Sequence, residues 1–254
     1  MWSSGCRIAP RIPLCPARTP EGKFSTMCGR YTLRSFREAI AQKFGVSPQH
    51  MLPARFNIAP GQSVPVVRAN TATHRRELVL LRWGLIPSWA EDPTIGNRLV
   101  NARSETAATK PAFRSALRAR RCLVVADGFY EWQAREGRKQ PYYIQCGAGG
   151  PFGFGGLWER WEKAGIAIES CTILTCAAND TMQTIHHRMP VVIPPEEFAR
   201  WLDPAVSDVP AVSRVMRKGA LMELTACPVS TLVNSVRNDS SQCVKPYVPP
   251  TTLF

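Results

Sequence analysis

Cys28 directly follows Met27 in the run MCGRY at 27–31. An initiator methionine is removed when the next residue is small, so a chain started at Met27 would mature to an N-terminal Cys28. Its α-amine would titrate near 7.7–8.0, whereas lysine amines titrate near 10.4. Such an amine condenses with an aldehyde to an imine, and the adjacent thiol can close a five-membered thiazolidine. A cysteine taken alone is more often a buried structural residue.

Three further residues have side chains suited to acid–base work or to holding a substrate, namely Asn101, Glu131 and His186. Glu131 stands among aromatic residues, and partial desolvation there would raise the pKa of its carboxyl group. Histidine titrates near neutrality without special tuning. Taken singly, each residue also has an ordinary structural interpretation. Glu131 would be an ion-paired carboxylate, His186 a structural imidazole, and Asn101 an amide that hydrogen-bonds the backbone of a turn.

The charge of the chain points to a polyanionic partner. The 254 residues carry a net charge of +13, of which residues 1–26 contribute +3. An excess of +10 in the remainder favours nucleic acid first and an anionic membrane second. No apolar run approaches the length that spans a bilayer.

The nine cysteines include no CxxC pair. Cys122, Cys171 and Cys176 lie in apolar runs, which is typical of core residues in a reducing compartment, and their spacing with the four histidines matches no zinc site. We therefore expect a cytoplasmic protein, nucleoid-associated when bound to DNA, with no metal and no cofactor.

The pattern of apolar residues predicts one α+β domain, compact and β-rich, with a few short helices. Helices are predicted over 35–44, 113–121, 195–202 and 212–218, and strands over 64–67, 77–83, 122–126, 141–145, 171–178 and 221–227. The arginines of 113–121 would line a phosphate track or form a solvated helix face, and a charged hairpin turn falls near 135–139. The glycine-rich stretch 147–156 lacks the pattern of a phosphate loop.

Residues 1–26 are rich in proline and arginine and lack an apolar signal-peptide core. We expect this segment to be disordered and to lie upstream of the true start, with a cleaved propeptide as the alternative. The domain is expected to span 27–247, followed by a proline-rich tail over 248–254.

Six runs, in order along the chain, resemble one family. They are MCGRY at 27–31, RFNIAP at 55–60, WGLIPSW at 83–89, NARSET at 101–106, DGFYEW at 127–132 and HHRMP at 186–190. Together they are similar to the SOS-response-associated peptidase (SRAP) family of abasic-site processing proteins. The family commonly has aspartate where this chain has His187.

The resemblance implies a catalytic set. Cys28 would be the N-terminal nucleophile that links covalently to an abasic deoxyribose in single-stranded DNA. Asn101 would hold the Cys28 end and the sugar, and Glu131 would act as general acid and base. His186 would assist opening of the sugar ring and later reversal of the crosslink, a role that His187 could share or perturb.

The resemblance also implies a DNA-binding set of Arg30, Asn57, Trp83, Arg103 and Thr175. The partner would be single-stranded DNA that contains abasic sites, bound by a monomer through phosphate contacts and stacking. Two other functions stay open: a thiol autopeptidase or cysteine peptidase that uses Cys28, and a non-covalent single-strand binding module.

Overall fold

Most segments in which apolar and polar residues alternate form β-strands. The computed structural model describes residues 29–47, 52–135 and 137–247. The strands are β1 (Tyr31–Leu33), β2 (Arg55–Ile58), β3 (Ser63–Ala69), β4 (Arg76–Trp83), β5 (Asn101–Arg103), β6 (Arg121–Ala126), β7 (Gly128–Arg135), β8 (Arg138–Cys146), β9 (Phe152–Lys163), β10 (Ile166–Ala177), β11 (Arg188–Pro190), β12 (Val192–Ile193) and β13 (Leu224–Pro228).

The helices are short and lie outside the sheets. They are α1 (Arg37–Phe44), α2 (Arg114–Ala119), α3 (Asp180–Gln183), α4 (Phe198–Leu202) and α5 (Val209–Gly219). Single 3₁₀ segments cover Pro93–Arg98, Pro195–Glu197, Thr231–Asn234 and Ser241–Val244. The predicted α+β class, with few and short helices, is confirmed.

Five strands close into a ring, in the order β10, β4, β3, β6, β9 and back to β10. β6 is buried along its whole length, which explains its continuous apolar sequence, since a strand covered on both faces does not alternate. Trp83, Tyr31 and Phe154 fill the interior, and the Tyr31 ring contacts both others edge to face. The ring of strands is the rigid support of the molecule.

A second sheet, in the order β13-β8-β7-β1-β2, carries the DGFYEW run on β7. Phe129 packs into the main core, whereas Tyr130 packs with Tyr143 in a smaller cluster on the opposite face. Because side chains alternate along a strand, Glu131 returns to the face of Phe129.

Asp127, the first residue of that run, ties β1 to β7. Its buried carboxylate accepts hydrogen bonds from the hydroxyl of Thr32 and from the amide and hydroxyl of Ser35, the last two at 2.7 and 3.0 Å. The carboxylate therefore fixes the strand that begins directly after Arg30.

The glycine-rich stretch contributes to strand β9, which the sequence did not predict. A Cβ atom at Gly155 would lie 3.0 Å from Cδ1 of Ile193, and one at Gly156 would lie 2.9 Å from Sγ of Cys122. These glycines permit close packing rather than a turn. The predicted helix over 113–121 is also shorter than expected, because Arg121 already belongs to β6.

Candidate functional site

The described chain begins beside a cavity of about 370 Å³ at one end of the second sheet. The cavity is lined by Gly29, Arg30, Pro60, Asn97, Val100 and Trp132. The amide of Tyr130 donates to the carbonyl of Arg30 at 3.0 Å, so β7 holds this end of the chain in place. Cys28, the predicted nucleophile, lies outside the described residues.

Arg30 and Asn57 hold a C-terminal loop, residues 230–238. The Arg30 guanidinium donates to Oδ1 of Asn57 at 3.1 Å and to the carbonyls of Val233 and Asn234 at 2.8 and 3.3 Å. Burial lowers its pKa from the ordinary value. The Arg30 guanidinium is therefore hydrogen-bonded to three oxygens of the protein, and Arg30 also lines the cavity.

Asn57 has an exposed fraction of 0%. Its amide nitrogen donates to the carbonyls of Val233, Ser235 and Asn238 at 3.1, 2.9 and 2.8 Å. Asp239 continues the arrangement, accepting from the amide of Asn57 at 2.9 Å. We call Arg30, Asn57, Asp239 and the loop 230–238 the clamp. Asn57 supports this loop, and its predicted DNA contact stays a prediction.

Glu131 is buried on β7, and the loop before β11 lies over its face. The Nε2 of Gln133, two residues further on the same face, donates to the carbonyl of Thr184 at 2.6 Å. The hydroxyl of Tyr142, opposite Glu131 in register, donates to Oε1 of Gln133 at 3.2 Å. These bonds fix the histidine-bearing loop next to the Glu131 carboxylate.

His186 and His187 stack, with ring centroids 4.3 Å apart. Nδ1 of His186 lies 3.1 Å from the backbone amide of Arg188 and 3.2 Å from its carbonyl, so Nδ1 has a backbone partner in either neutral tautomer. Burial lowers the pKa of His186 from its usual 6.5. At neutral pH the imidazole is therefore mostly neutral.

His187 is the histidine that interacts with Glu131. Burial lowers its pKa, and the neighbouring His186 and Arg188 lower it further, whereas the Glu131 carboxylate raises it. Arg103 also lowers this pKa, so the four groups share one region. We call Arg103, Glu131 and His187 the open edge. A carboxylate and an imidazole within electrostatic reach of each other are groups that can exchange protons with a substrate.

β5 brings Asn101 and Arg103 to this edge by pairing with β10, with Asn101 opposite Ile173 and Arg103 opposite Thr175. Arg103 is exposed, and its guanidinium makes no ion pair or hydrogen bond within residues 29–47, 52–135 and 137–247. A cation without an internal partner suits a phosphate contact.

Trp83 and Thr175 support the edge from inside and are each 1% exposed. The Trp83 Nε1 donates to the carbonyl of Val100 at 2.9 Å, directly before Asn101. The hydroxyl of Thr175 accepts from Arg188 at 3.1 Å. Both side chains are buried, and their predicted DNA contacts stay predictions. Trp89, at the end of the same run as Trp83, is 57% exposed.

Arg120 and Arg121, which were candidates for a phosphate track, are also engaged by the protein. Arg120 pairs with Glu159 at 2.7 Å. Arg121 is buried and donates to backbone carbonyls, among them those of Trp201 and Leu117 at 2.7 and 2.8 Å. Arg121 therefore joins α4 to β6.

Trp132 lines the cavity although the sequence analysis gave it no role. Its indole donates to Oδ1 of Asn234 at 2.8 Å, which joins the cavity wall to the clamp. The sequence does place Trp132 next to Glu131 on one strand. Because successive side chains of a strand point to opposite faces, Trp132 and Glu131 lie on the two faces of β7.

The described cysteines, six in number, are free thiols. Burial raises the pKa of Cys176 to about 11, and it also raises that of Cys146. Neither environment activates a thiolate. In the described part of the chain, no group of three or more metal-ligating side chains occurs, and no helix is both long and apolar enough to cross a membrane.

Comparison with known proteins places these features in a family. The family model described as "SOS response associated peptidase (SRAP)" matches residues 27–236. The abasic site processing protein YoqW of Bacillus subtilis is 36% identical over 226 residues, covering 87% of this chain and 100% of the relative. The abasic site processing protein HMCES of Gallus gallus is 34% identical over 222 residues, covering 75% of this chain and 66% of the relative.

The fold also matches a solved structure. A protein from Bacteroides thetaiotaomicron superposes with a TM-score of 0.75 at 24% identity, covering 87% of this chain and 100% of that one. Its similarity extends to the fold alone. The predicted domain limits of 27–247 stay a prediction, although the family match lies within them.

Proposed function

This chain belongs to the SOS response associated peptidase (SRAP) family, and from that premise we propose that it processes abasic sites in single-stranded DNA by covalent capture through Cys28. The names of its relatives support abasic-site processing. The observation that carries the proposal is the open edge, where Glu131, His187 and the exposed Arg103 interact electrostatically, and where Glu131 directly follows the Tyr130 whose amide holds Arg30 near the start of the described chain.

The reaction needs Cys28 as the N-terminal residue. An abasic sugar is mostly a closed hemiacetal, so an acid and a base must open it before an aldehyde is available. The neutral α-amine adds to the aldehyde carbon, and loss of water gives an imine. The Cys28 sulfur then adds to the imine carbon while the nitrogen takes up a proton, which closes a thiazolidine without oxidation or reduction.

Glu131 and the histidine loop would supply the proton transfers. Glu131 would take the hydroxyl proton of the sugar as the ring opens. In the tautomer in which Nδ1 accepts from the amide of Arg188, the Nε2–H of neutral His186 would donate to the departing oxygen. His187 stacks on His186 and lies within electrostatic reach of Glu131, so it would set the charge of the pair.

Arg103 would hold the phosphate beside the lesion, and Asn101, two residues earlier on β5, would hold the sugar. This mode of recognition needs no base contacts, which suits a lesion that lacks a base. Exposed Trp89 offers an aromatic face for the neighbouring bases.

The test uses protein that begins at Cys28, mixed with a single-stranded oligonucleotide that carries one abasic site and separated on a denaturing gel. We expect a heat-stable shifted band that is absent with Cys28→Ala, with Cys28→Ser and with an oligonucleotide lacking the lesion. Binding under native conditions without a denaturant-resistant band would overturn covalent capture in favour of a non-covalent binding module.

The peptidase activity named in the family description is tested in a companion experiment. The full 254-residue chain is incubated and analysed by mass spectrometry. A new N-terminus at Cys28 that does not form in Cys28→Ala would support self-processing. A full chain that stays intact and yields no shifted band would exclude it, while the protein beginning at Cys28 still reports on capture.

A further inference from the structure

The hairpin formed by β7 and β8 ends in a cluster of positive side chains. Arg135 and Arg138 lie directly opposite each other in register, and Lys139 lies opposite Ala134. All three are exposed, and none makes an ion pair or hydrogen bond through its side chain with another described residue. Glu136, at the turn, lies outside the described residues.

Two of these cations continue the face that carries Glu131. Glu131, Gln133 and Arg135 alternate along β7, so they project from the same face. Arg138 shares that face because it is the cross-strand partner of Arg135. Four residues of strand place Arg135 about 13 Å beyond Glu131, a distance of a few nucleotides.

The third cation is also linked to the site. Lys139 is the cross-strand partner of Ala134 and therefore starts from the other face of the hairpin. Its ammonium group nevertheless lowers the pKa of His186, which places it within electrostatic range of that imidazole. The hydrogen bond from Gln133 to Thr184 fixes the histidine loop against the same hairpin. The hairpin tip and the open edge therefore lie side by side on one surface.

We propose that the hairpin tip, made of Arg135, Arg138 and Lys139, binds the phosphate backbone of the DNA strand a few nucleotides from the lesion. This rests on the proposed function, because it assigns the path of the same DNA strand. The tip would position the strand, while the open edge would act on the abasic sugar.

The electrostatics of the tip favour such an occupant. Like charges directly opposite each other destabilise a pair of strands, and a bound phosphate would remove that repulsion. The hairpin of β9 and β10 provides a contrast, because its cations are neutralised within the protein. Arg160 pairs with Glu162 at 2.8 Å, and Lys163 pairs with Glu91.

The test measures binding of a single-stranded oligonucleotide without a lesion over a series of salt concentrations. In the triple variant Arg135→Gln, Arg138→Gln, Lys139→Gln, we expect weaker binding and a salt slope smaller by about 2, since each phosphate contact on a single strand contributes about 0.7. The matched control is Arg160→Gln with Lys163→Gln on the other hairpin, which should leave the slope unchanged. An unchanged slope in the triple variant, or an equal change in the control, would overturn the proposal.

The position along the strand is tested with neutral methylphosphonate linkages placed one at a time on either side of an abasic site. Near a linkage that the tip contacts, the losses caused by the triple variant and by the neutral linkage should be less than additive. Additive losses at every position would overturn the assigned path. Failure of the unmodified protein to form a crosslink would contradict the proposed function and leave the salt experiment valid.

Discussion

Arg30 and Arg103 come from two motifs of the same family resemblance, yet the structure gives them opposite surroundings. Arg30 donates to three oxygens of the clamp. Arg103, at the open edge, has no such partner among the described residues. The difference teaches that two arginines of one family pattern can have different tasks, and the proposed function accordingly assigns the phosphate contact to Arg103 and the support of the clamp to Arg30.

The two asparagines and the two tryptophans of the family motifs also differ in their surroundings. Asn57 spends its amide nitrogen on three backbone carbonyls, whereas Asn101 lies on β5 beside the cavity wall. Trp83 is buried, whereas Trp89 is exposed. The clamp supports one wall of the cavity, because Arg30 lines it and Asn234 accepts from the Trp132 indole. A site that aligns two reacting groups requires such a fixed wall.

The largest effect is expected from breaking the clamp. Asn57→Ala would remove the side-chain donor of the Ser235 and Asn238 carbonyls and the Oδ1 acceptor of Arg30, while the Val233 carbonyl keeps its bond from Arg30. At about 1 kcal/mol for each of these three lost hydrogen bonds, we expect a loss of about 3 kcal/mol in the free energy of unfolding. Urea denaturation measures it. Asn97→Ala is the control, since that exposed amide accepts one hydrogen bond from Arg82 and should change stability by less than about 0.5 kcal/mol.

If Asn57→Ala unfolded with the same midpoint as the parent protein while losing affinity for DNA, Asn57 would be a contact and not a support. That result would remove the division between the two regions. A loss of stability with unchanged affinity per folded molecule would sharpen it.

Arg103→Gln should weaken DNA binding while leaving stability nearly unchanged, and its effect in free energy should be smaller than that of Asn57→Ala. We expect weaker binding of single-stranded DNA with a salt slope reduced by about 0.7, the contribution of one phosphate contact. Stability should change by less than about 0.5 kcal/mol, because no internal bond is lost. Fluorescence anisotropy at several salt concentrations, with urea denaturation of the same sample, measures both.

Arg30→Gln is the partner variant in that comparison. It removes bonds to Val233 and Asn234 and should lower stability by about 1–2 kcal/mol. A salt slope that fell equally in Arg30→Gln and Arg103→Gln would show that both arginines contact phosphate, against the structural distinction.

The sequence allowed the α+β class and the order of the site motifs to be predicted, because apolar periodicity and short polar runs are local features. Burial within a motif was not predictable. Trp83 and Trp89 occur in one heptapeptide, and only the packing of β4 inside the ring of strands separates them. Strand β9 was missed because glycine is rare in strands, whereas here its lack of a side chain admits Ile193 and Cys122.

The electrostatic interaction of Glu131 with His187 was equally hidden in the sequence, since it depends on how the loop after α3 lies over β7. Adjacent histidines in a sequence give no indication of which one interacts with the carboxylate. The structure assigns Nδ1 of His186 to the backbone and brings His187 into electrostatic reach of Glu131.

The smallest effect concerns pH and again separates the regions. The folded state lowers the pKa of His186 below 6.5, so below that pH the unfolded chain binds a proton that the folded chain does not. Stability should therefore fall as pH decreases from about 6.5 towards the folded pKa. Glu77 and Glu105, whose pKa values lie below the usual 4.5, add their losses only at lower pH.

Urea denaturation at pH 7.5, 6.5 and 5.5 measures this slope, and His186→Gln should flatten it. The positive charges of Arg188 and Lys139 lower the pKa of the imidazole in the same direction as its burial, whereas its hydrogen bond with the Arg188 backbone raises it. His187 stacks on the same ring. His187→Gln should therefore flatten the slope as well, but less, because His187 is more exposed and Glu131 partly offsets its shift. A slope of opposite sign that His186→Gln removes would mean that folding favours the charged imidazole, and a slope unchanged by His186→Gln would mean that folding does not shift its pKa. Either result would contradict the lowered pKa from which the neutral donor of the capture chemistry is argued.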